Sequence, residues 1–388
     1  MMRNFLRRAT LWCTLTVTFC AYSTPTIVPD PPALAAKGYV LIDYNTGQVL
    51  AEKNANTKLN PASLTKLMTA YVAGQEVKAG NVTLNDQVLI SKKAWAKNFP
   101  DSSKMFIEVG TKVPLMDLYR GLIVQSGNDA SVAIAEYVAG SESAFVNMMN
   151  SWAEKLGLEN TAYTNPHGLD SRGLYSTPLD IAKLGQAIIR DLPDIYSLYS
   201  ETSYTYNGIT QYNRNGLLRD RSMNVDGMKT GYTRKAGYSM ATSATFGNMR
   251  LIAVVMGAES AKSRESVSKQ LLSYGFRFFD TVSPTKANDV VTSVRVWMGD
   301  KDQLSLGVSD DIYLTLPRGD ADKLVAQVEF DRELVAPIAK GEKVGSVVYK
   351  VDDETVLAKD LVAKSEIKQG SIIKRIIDWF KRLISGWL

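Results

Sequence analysis

The stretch Asn60-Pro61-Ala62-Ser63-Leu64-Thr65-Lys66-Leu67-Met68 decides how the rest of the chain is read. It predicts the first two turns of a helix, with Asn60 capping orphan N–H groups and Pro61 at the first helical position. Leu64, Leu67, Met68, Tyr71 and Val72 follow at the spacing of a helical face packed on a core. Ser63 and Lys66, three apart, are neighbours on one flank of that face. A hydroxyl therefore sits beside an amine at the positive end of a buried helix, where the dipole disfavours an ammonium and favours a developing alkoxide. A desolvated, neutral lysine can take the serine proton. Alone, Ser-x-x-Lys is a common pattern, and its weight comes from what lies downstream.

Two more short motifs follow in order, Ser126-Gly127-Asn128 and Lys229-Thr230-Gly231. The ordered set matches the S-x-x-K, S-x-N and K-T-G motifs of penicillin-binding proteins and serine β-lactamases. Each has a physical role. Ser63 attacks a carbonyl and Lys66 is its general base. Ser126, at a turn between helices, relays a proton to the leaving amine. Asn128 bonds Lys66 and the substrate amide. Lys229, on a strand edge, keeps Lys66 neutral and attracts a carboxylate. Thr230 bonds that carboxylate, and Gly231 lets backbone lie close to the ligand. His167, the only histidine, sits in the turn-rich loop Asn165-Pro-His-Gly-Leu-Asp170 without a G-x-S-x-G context, and is read as structural. No metal site and no cofactor is expected.

Around this centre, Gly38–Asp43 and Gln48–Glu52 read as a hairpin. Helices are expected from Val113-Pro114, from Asp129 to about 138, from Glu142 to about 156, and from Thr177-Pro178 to about 190. Gly237–Thr245 and Met249–Met256, joined at Gly247-Asn248, read as a second hairpin, closed by a helix from about 263 to 279. Strands at both ends of a helical middle predict an α+β catalytic domain over 37–283, an antiparallel sheet flanked by helices. Short β-like runs after Pro284 predict a small all-β domain over 284–368.

The ends are patterned differently. Residues 1–23, with Arg3, Arg7 and Arg8 before an apolar run too short to span a bilayer comfortably, read as a secretory signal peptide. Pro-rich residues 24–36 read as a linker. Both cysteines, Cys13 and Cys20, fall in the leader, so the mature chain has no thiol. Without the three leader arginines, 42 basic residues face 40 acidic ones, a near-neutral balance that gives no support for nucleic-acid binding. Over 371–388, apolar residues from Ile372 to Leu388 fill one half of a helical wheel. Lys374, Arg375, Asp378, Lys381, Arg382 and Ser385 fill the other. Such a helix suits a membrane interface, its cations toward anionic head groups.

Beyond the motifs, Asn224–Thr233, Gln125–Ala130, Tyr212–Asn215 and Gly275–Phe279, with the β domain and the tail, resemble the serine-type D-alanyl-D-alanine carboxypeptidases, the low-molecular-mass penicillin-binding proteins of type 5. The resemblance covers nearly the whole mature chain. It implies a β-lactamase/transpeptidase-like fold, a periplasmic location and a C-terminal amphipathic anchor on the inner membrane. It also implies an oxyanion hole from the backbone N–H groups of Ser63 and Tyr232. Arg264 matches the family arginine that binds the terminal carboxylate, and Arg214 another beside the active site. Tyr232 stands where many relatives carry histidine. The implied substrates are peptidoglycan pentapeptide stems, and the implied inhibitors are β-lactams. A β-lactamase or endopeptidase on the same scaffold, and a non-catalytic penicillin-binding scaffold, are the alternatives. No Glu-x-x-Leu-Asn segment of the class A β-lactamase type is present.

Overall fold

A computed structural model of the chain describes residues 27–330 and 332–385. The predicted signal peptide, and Trp387 and Leu388 of the tail, lie outside the described residues.

Strands β1 (Gly38–Asp43) and β2 (Val49–Lys53) form the first hairpin. A 3-10 turn, Ala62–Leu64, then leads into α1 (Thr65–Lys78). Short strands β3 (Gln87–Leu89) and β4 (Lys112–Pro114) precede α2 (Leu115–Ile123), α3 (Asn128–Ala139) and α4 (Glu142–Lys155). After α5 (Pro178–Asp191) and the single turn α6 (Pro193–Ser197) comes the hairpin β5 (Ser203–Tyr206) and β6 (Ile209–Tyr212). Strands β7 (Asn224–Thr233), β8 (Gly237–Phe246) and β9 (Met249–Ala258) follow, then α7 (Ala261–Phe278). Local chemistry sets the helix starts. Thr177 Oγ1 accepts from Asp180 N–H ahead of Pro178, Ser141 Oγ from Ala144 N–H, and Ser260 Oγ from Ser263 N–H.

The sheet is antiparallel, in the order β2-β1-β9-β8-β7. It is buried on both faces. Val40, Ile42, Ile252 and Val254 pack with helices α1 to α5, whereas Tyr39, Leu41, Leu251 and Val255 pack under α7. Helix α1 lies within the first of these cores, and Thr65 through Gly74 are buried without interruption. The single apolar face expected of it is thus replaced by burial all round, because sheet and helices enclose it. Lys66, on this helix, is 1% exposed.

Strand β10 (Phe279–Thr285) does not join the first sheet but pairs with β13 (Ile312–Pro317), reached through β11 (Thr292–Arg295) and β12 (Gln303–Gly307). The boundary read at 283/284 falls inside β10, because the pairing with β13 starts at Phe279. With β14 (Val325–Phe330), β15 (Lys343–Val351) and β16 (Glu354–Ala363), a five-stranded sheet β11-β12-β16-β15-β14 covers a separate apolar core that includes Val296, Leu306, Val347 and Ile367.

The described residues end in α8 (Ile372–Ser385), which lies with its polar side against this β domain. Lys374 Nζ is 2.5 Å from Asp302 Oδ1, and Arg382 Nη2 is 2.7 Å from Glu333 Oε2. The sequence reading places these two cations at lipid head groups, but the structure pairs both with carboxylates. Seven apolar side chains from Ile372 to Leu383 are 44–74% exposed. Among the described residues, no helix is long and apolar enough to cross a membrane.

Candidate active site

Ser63 lies in the 3-10 turn, two residues before the start of α1, rather than in the helix's first turn. Asn60 Oδ1 accepts from Ala62 N–H at 3.0 Å, and its amide donates to Asp170 at 2.6 Å, so it fixes the turn without capping α1 itself. Ala62 takes a left-handed φ of 47°, and Ser126 one of 59°. Two such conformations beside one cleft mark backbone held by its surroundings.

Lys66 Nζ stands 3.0 Å from Ser63 Oγ, 2.7 Å from Asn128 Oδ1 and 2.5 Å from the His167 carbonyl oxygen. No carboxylate pairs with it among the described residues. Burial first, then the Arg214 charge, draws its pKa down from 10.5 to about 7, and Asp129 opposes this weakly. A neutral amine has two N–H groups and one lone pair. With both N–H groups on Asn128 and His167, the lone pair is left for the Ser63 hydroxyl.

One cleft of about 980 Å³ collects Ser63, Ser126, Asn128, Thr230, Gly231, Tyr232, Arg214 and Arg264 along its walls. Asn128 Nδ2 donates to Ser102 Oγ at 2.8 Å, which sets its amide orientation. Lys229 is 3% exposed behind this wall, its Nζ donating to the Thr230 carbonyl at 3.2 Å. Burial, with Lys66, Arg214 and Arg264 nearby, pulls its pKa well below the usual lysine range. Arg264 donates long bonds to the carbonyls of Gly231 and Arg214 and leaves a buried Nε without a partner. Arg214 donates to Ser103 Oγ at 2.5 Å. Arg264 is buried with its Nε unpartnered, and a buried guanidinium in that state needs an anion to complete it. The Tyr232 ring is half-exposed and packs 4.3 Å from Tyr238.

Sequence reasoning missed two contributors, the His167 carbonyl and Asp129, and understated a third, strand β7. Strand β7 is an edge strand over its whole length, bonded only to β8. A Cβ on Gly231, within β7, would crowd the Ser63 N–H and the Pro61 carbonyl, so the glycine permits the close approach of strand and turn. His167 contributes its carbonyl. Its imidazole is held neutral, with a pKa pushed down to about 3 by burial and by the Lys66 and Lys93 charges, and Nδ1 accepts from Leu169 N–H. Asp129 is fully buried and accepts from the backbone N–H groups of Met105, Phe106, Ile107 and Ala130, tying the 103–107 wall of the cleft to α3. Among the described residues, no group of His, Cys, Asp or Glu side chains could hold a metal ion.

A helix-flanked antiparallel sheet with a Ser-Lys pair at its cationic edge cleft defines a serine peptidase of the penicillin-recognising class. The family described as D-alanyl-D-alanine carboxypeptidase matches residues 25–260, and the penicillin-binding protein 5 C-terminal domain matches residues 279–369. The chain is 50% identical over 366 residues to the D-alanyl-D-alanine carboxypeptidase DacA of Escherichia coli K12, covering 93% of this chain and 91% of that protein. The solved structure of penicillin-binding protein 5 from Haemophilus influenzae superposes with a TM-score of 0.84 at 46% identity, over 88% of this chain and all of that one. Penicillin-binding protein 6B from Escherichia coli gives a TM-score of 0.75 at 42% identity, over 88% and 99%. The chain belongs to the D-alanyl-D-alanine carboxypeptidase family of the penicillin-binding protein 5 type. It is a serine carboxypeptidase that binds penicillin and acts in peptidoglycan maturation.

Proposed function

We propose that Ser63 removes the terminal D-alanine from pentapeptide stems, with Lys66 as general base. Neutral Lys66 takes the Ser63 proton as Oγ bonds to the penultimate D-alanine carbonyl carbon. The oxyanion forms against the backbone N–H groups of Ser63 and Tyr232. The peptide C–N bond then breaks, and the proton passes through Ser126 to the leaving amine. Water attacks the acyl-enzyme, loses its proton to Lys66 and returns Ser63. The terminal carboxylate lies toward Lys229, Thr230 and Arg264, with Arg214 beside them, while Asn128 bonds the amide on the acyl side. The stem runs along the free edge of β7. The carrying observation is the Lys66 environment: two acceptors for its N–H groups, a lone pair for Ser63, and no carboxylate paired with it among the described residues. A Ser63→Ala enzyme should neither shorten a pentapeptide stem by one alanine, read by mass spectrometry, nor take up fluorescent penicillin. Retained turnover would refute the assignment.

The same reading places the mature enzyme in the periplasm, held peripherally on the cytoplasmic membrane by α8. The exposed apolar side of that helix supports contact with lipid. Flotation with anionic vesicles should be lost when the chain stops at residue 370.

A further inference from the structure

Helix α8 is attached to the β domain by the side of the helix that water would ordinarily solvate. At about 100° per residue, Asp378 lies at the centre of the polar arc, with Lys374 and Arg382 about 40° to either side. All three touch the β domain. Asp378 is 3% exposed, its Oδ2 accepts from Met298 N–H at 2.9 Å, and its Oδ1 lies 3.7 Å from Arg295, whose guanidinium stacks 3.9 Å over Trp297. Lys374 and Arg382 pair with Asp302 and Glu333. Arg375 and Lys381 remain exposed at the two margins of the arc.

A free interfacial helix would turn its polar side to the head groups, and Asp378 would then meet anionic lipid at the middle of the contact, where like charges repel. Seated in the β domain, that carboxylate is removed from the lipid-facing surface. What faces outward is an uninterrupted apolar stripe bordered by Arg375 and Lys381, whose stems can reach up to phosphates from its edges. The outer ion pairs are partly exposed and worth little singly. The buried carboxylate bonded to a backbone N–H is the specific contact, because freeing either partner leaves an unsatisfied group.

We propose that Asp378 keys α8 to the β domain in one rotational setting, so that the face formed by residues 295–302 and Glu333 is turned toward an anionic bilayer with the helix lying flat between them. The protein fold, rather than the lipid, then sets how the catalytic cleft is presented above the membrane. This rests on the reading of α8 as a lipid-binding helix.

The test uses the full mature chain, Asp378→Ala, and Asp378→Asn, which keeps an acceptor for Met298. Without lipid, trypsin should cut Asp378→Ala at Lys374 or Arg375 about tenfold faster than wild type, since cleavage follows the detached population. On vesicles of phosphatidylethanolamine and phosphatidylglycerol, Asp378→Ala should still float within about twofold of wild type, because the apolar stripe is intact. It should cleave free pentapeptide at the wild-type rate, which also shows that it folds. Turnover of a pentapeptide tethered to the vesicle by a short polar linker should fall about fivefold, since orientation sets the effective concentration of the cleft at the tether. Asp378→Asn should lie between the two on both the trypsin and the tether readouts. Unchanged trypsin sensitivity, or an unchanged tethered rate with flotation retained, overturns the inference alone. A wild-type chain that does not float overturns the lipid reading and this inference with it.

Discussion

The side-chain oxygen of Asn128 accepts from Lys66 Nζ at 2.7 Å, which makes Asn128 an uncharged partner where many buried lysines have an acid. Its neutrality is the condition for a neutral Lys66, since a carboxylate there would favour the ammonium. Asn128→Asp is nearly isosteric and supplies that carboxylate. Acylation by a β-lactam should slow about fivefold or more at pH 7, since a rise of one unit or more from about 7 leaves roughly a tenth or less of Lys66 neutral instead of half. The rate should recover as pH is raised. A variant as fast as wild type at pH 7 would contradict the argument.

The wild-type pH profile follows from the same group. In the proposed mechanism Lys66 must be unprotonated to accept the Ser63 proton, so kcat/KM should fall on the acid side of about pH 7 and level off above it. The Arg214 charge is the second cause of the lowered value, after burial. Removing a nearby positive charge makes the ammonium easier to hold, so Arg214→Ala should move the acidic limb to higher pH. Measuring β-lactam acylation keeps this separate from any loss of stem-peptide binding. A limb that stays fixed or moves down would show that burial alone tunes Lys66.

The motif residues were legible before the structure because their chemistry demands particular side chains: a hydroxyl and an amine three apart, then a serine and an amide, then a lysine before a glycine. The His167 carbonyl was not legible, since any residue offers a carbonyl, and only the loop's path brings this one to Lys66. The reading of Lys229 as merely on a strand edge understated how the cleft is built. The whole of β7 forms an edge, and that is a property of sheet order, which no local pattern encodes. The wheel of α8 separated two faces correctly but could not say which face meets protein, so Lys374 and Arg382 were assigned to lipid when they meet Asp302 and Glu333.

Asp129 offers a test on stability. Its carboxylate is fully buried, has no ion-pair partner among the described residues, and accepts from four backbone N–H groups. In Asp129→Asn an amide NH2 must face some of those donors, leaving buried groups unpaired. The expected loss is about 2–3 kcal/mol by urea denaturation, and the wall carrying Ser103 and Lys104 should loosen, raising KM more than it lowers kcat. Unaltered stability would mean that the loop satisfies its N–H groups elsewhere.

Gly168 joins the backbone of the Asn165–Asp170 loop to the turn that carries Ser63, the proposed nucleophile. Its φ is +86°, and a Cβ there would collide with the Ala62 carbonyl, one residue before Ser63. Ala62 is itself held left-handed, so the turn has little room to retreat. In Gly168→Ala the loop must therefore withdraw, and the His167 carbonyl goes with it, leaving an N–H of Lys66 unpaired and its lone pair no longer aimed at Ser63. Loss of aim lowers the rate at every pH, whereas a charge effect moves the acidic limb. Acylation should accordingly fall about a hundredfold, as expected when reacting groups are misplaced by roughly an ångström, with no upward movement of the limb near pH 7. Circular dichroism and a thermal midpoint would establish that the variant is folded. If it is folded and acylates at the wild-type rate, the His167 carbonyl does not orient Lys66, and the account of how this lysine is directed at Ser63 is wrong.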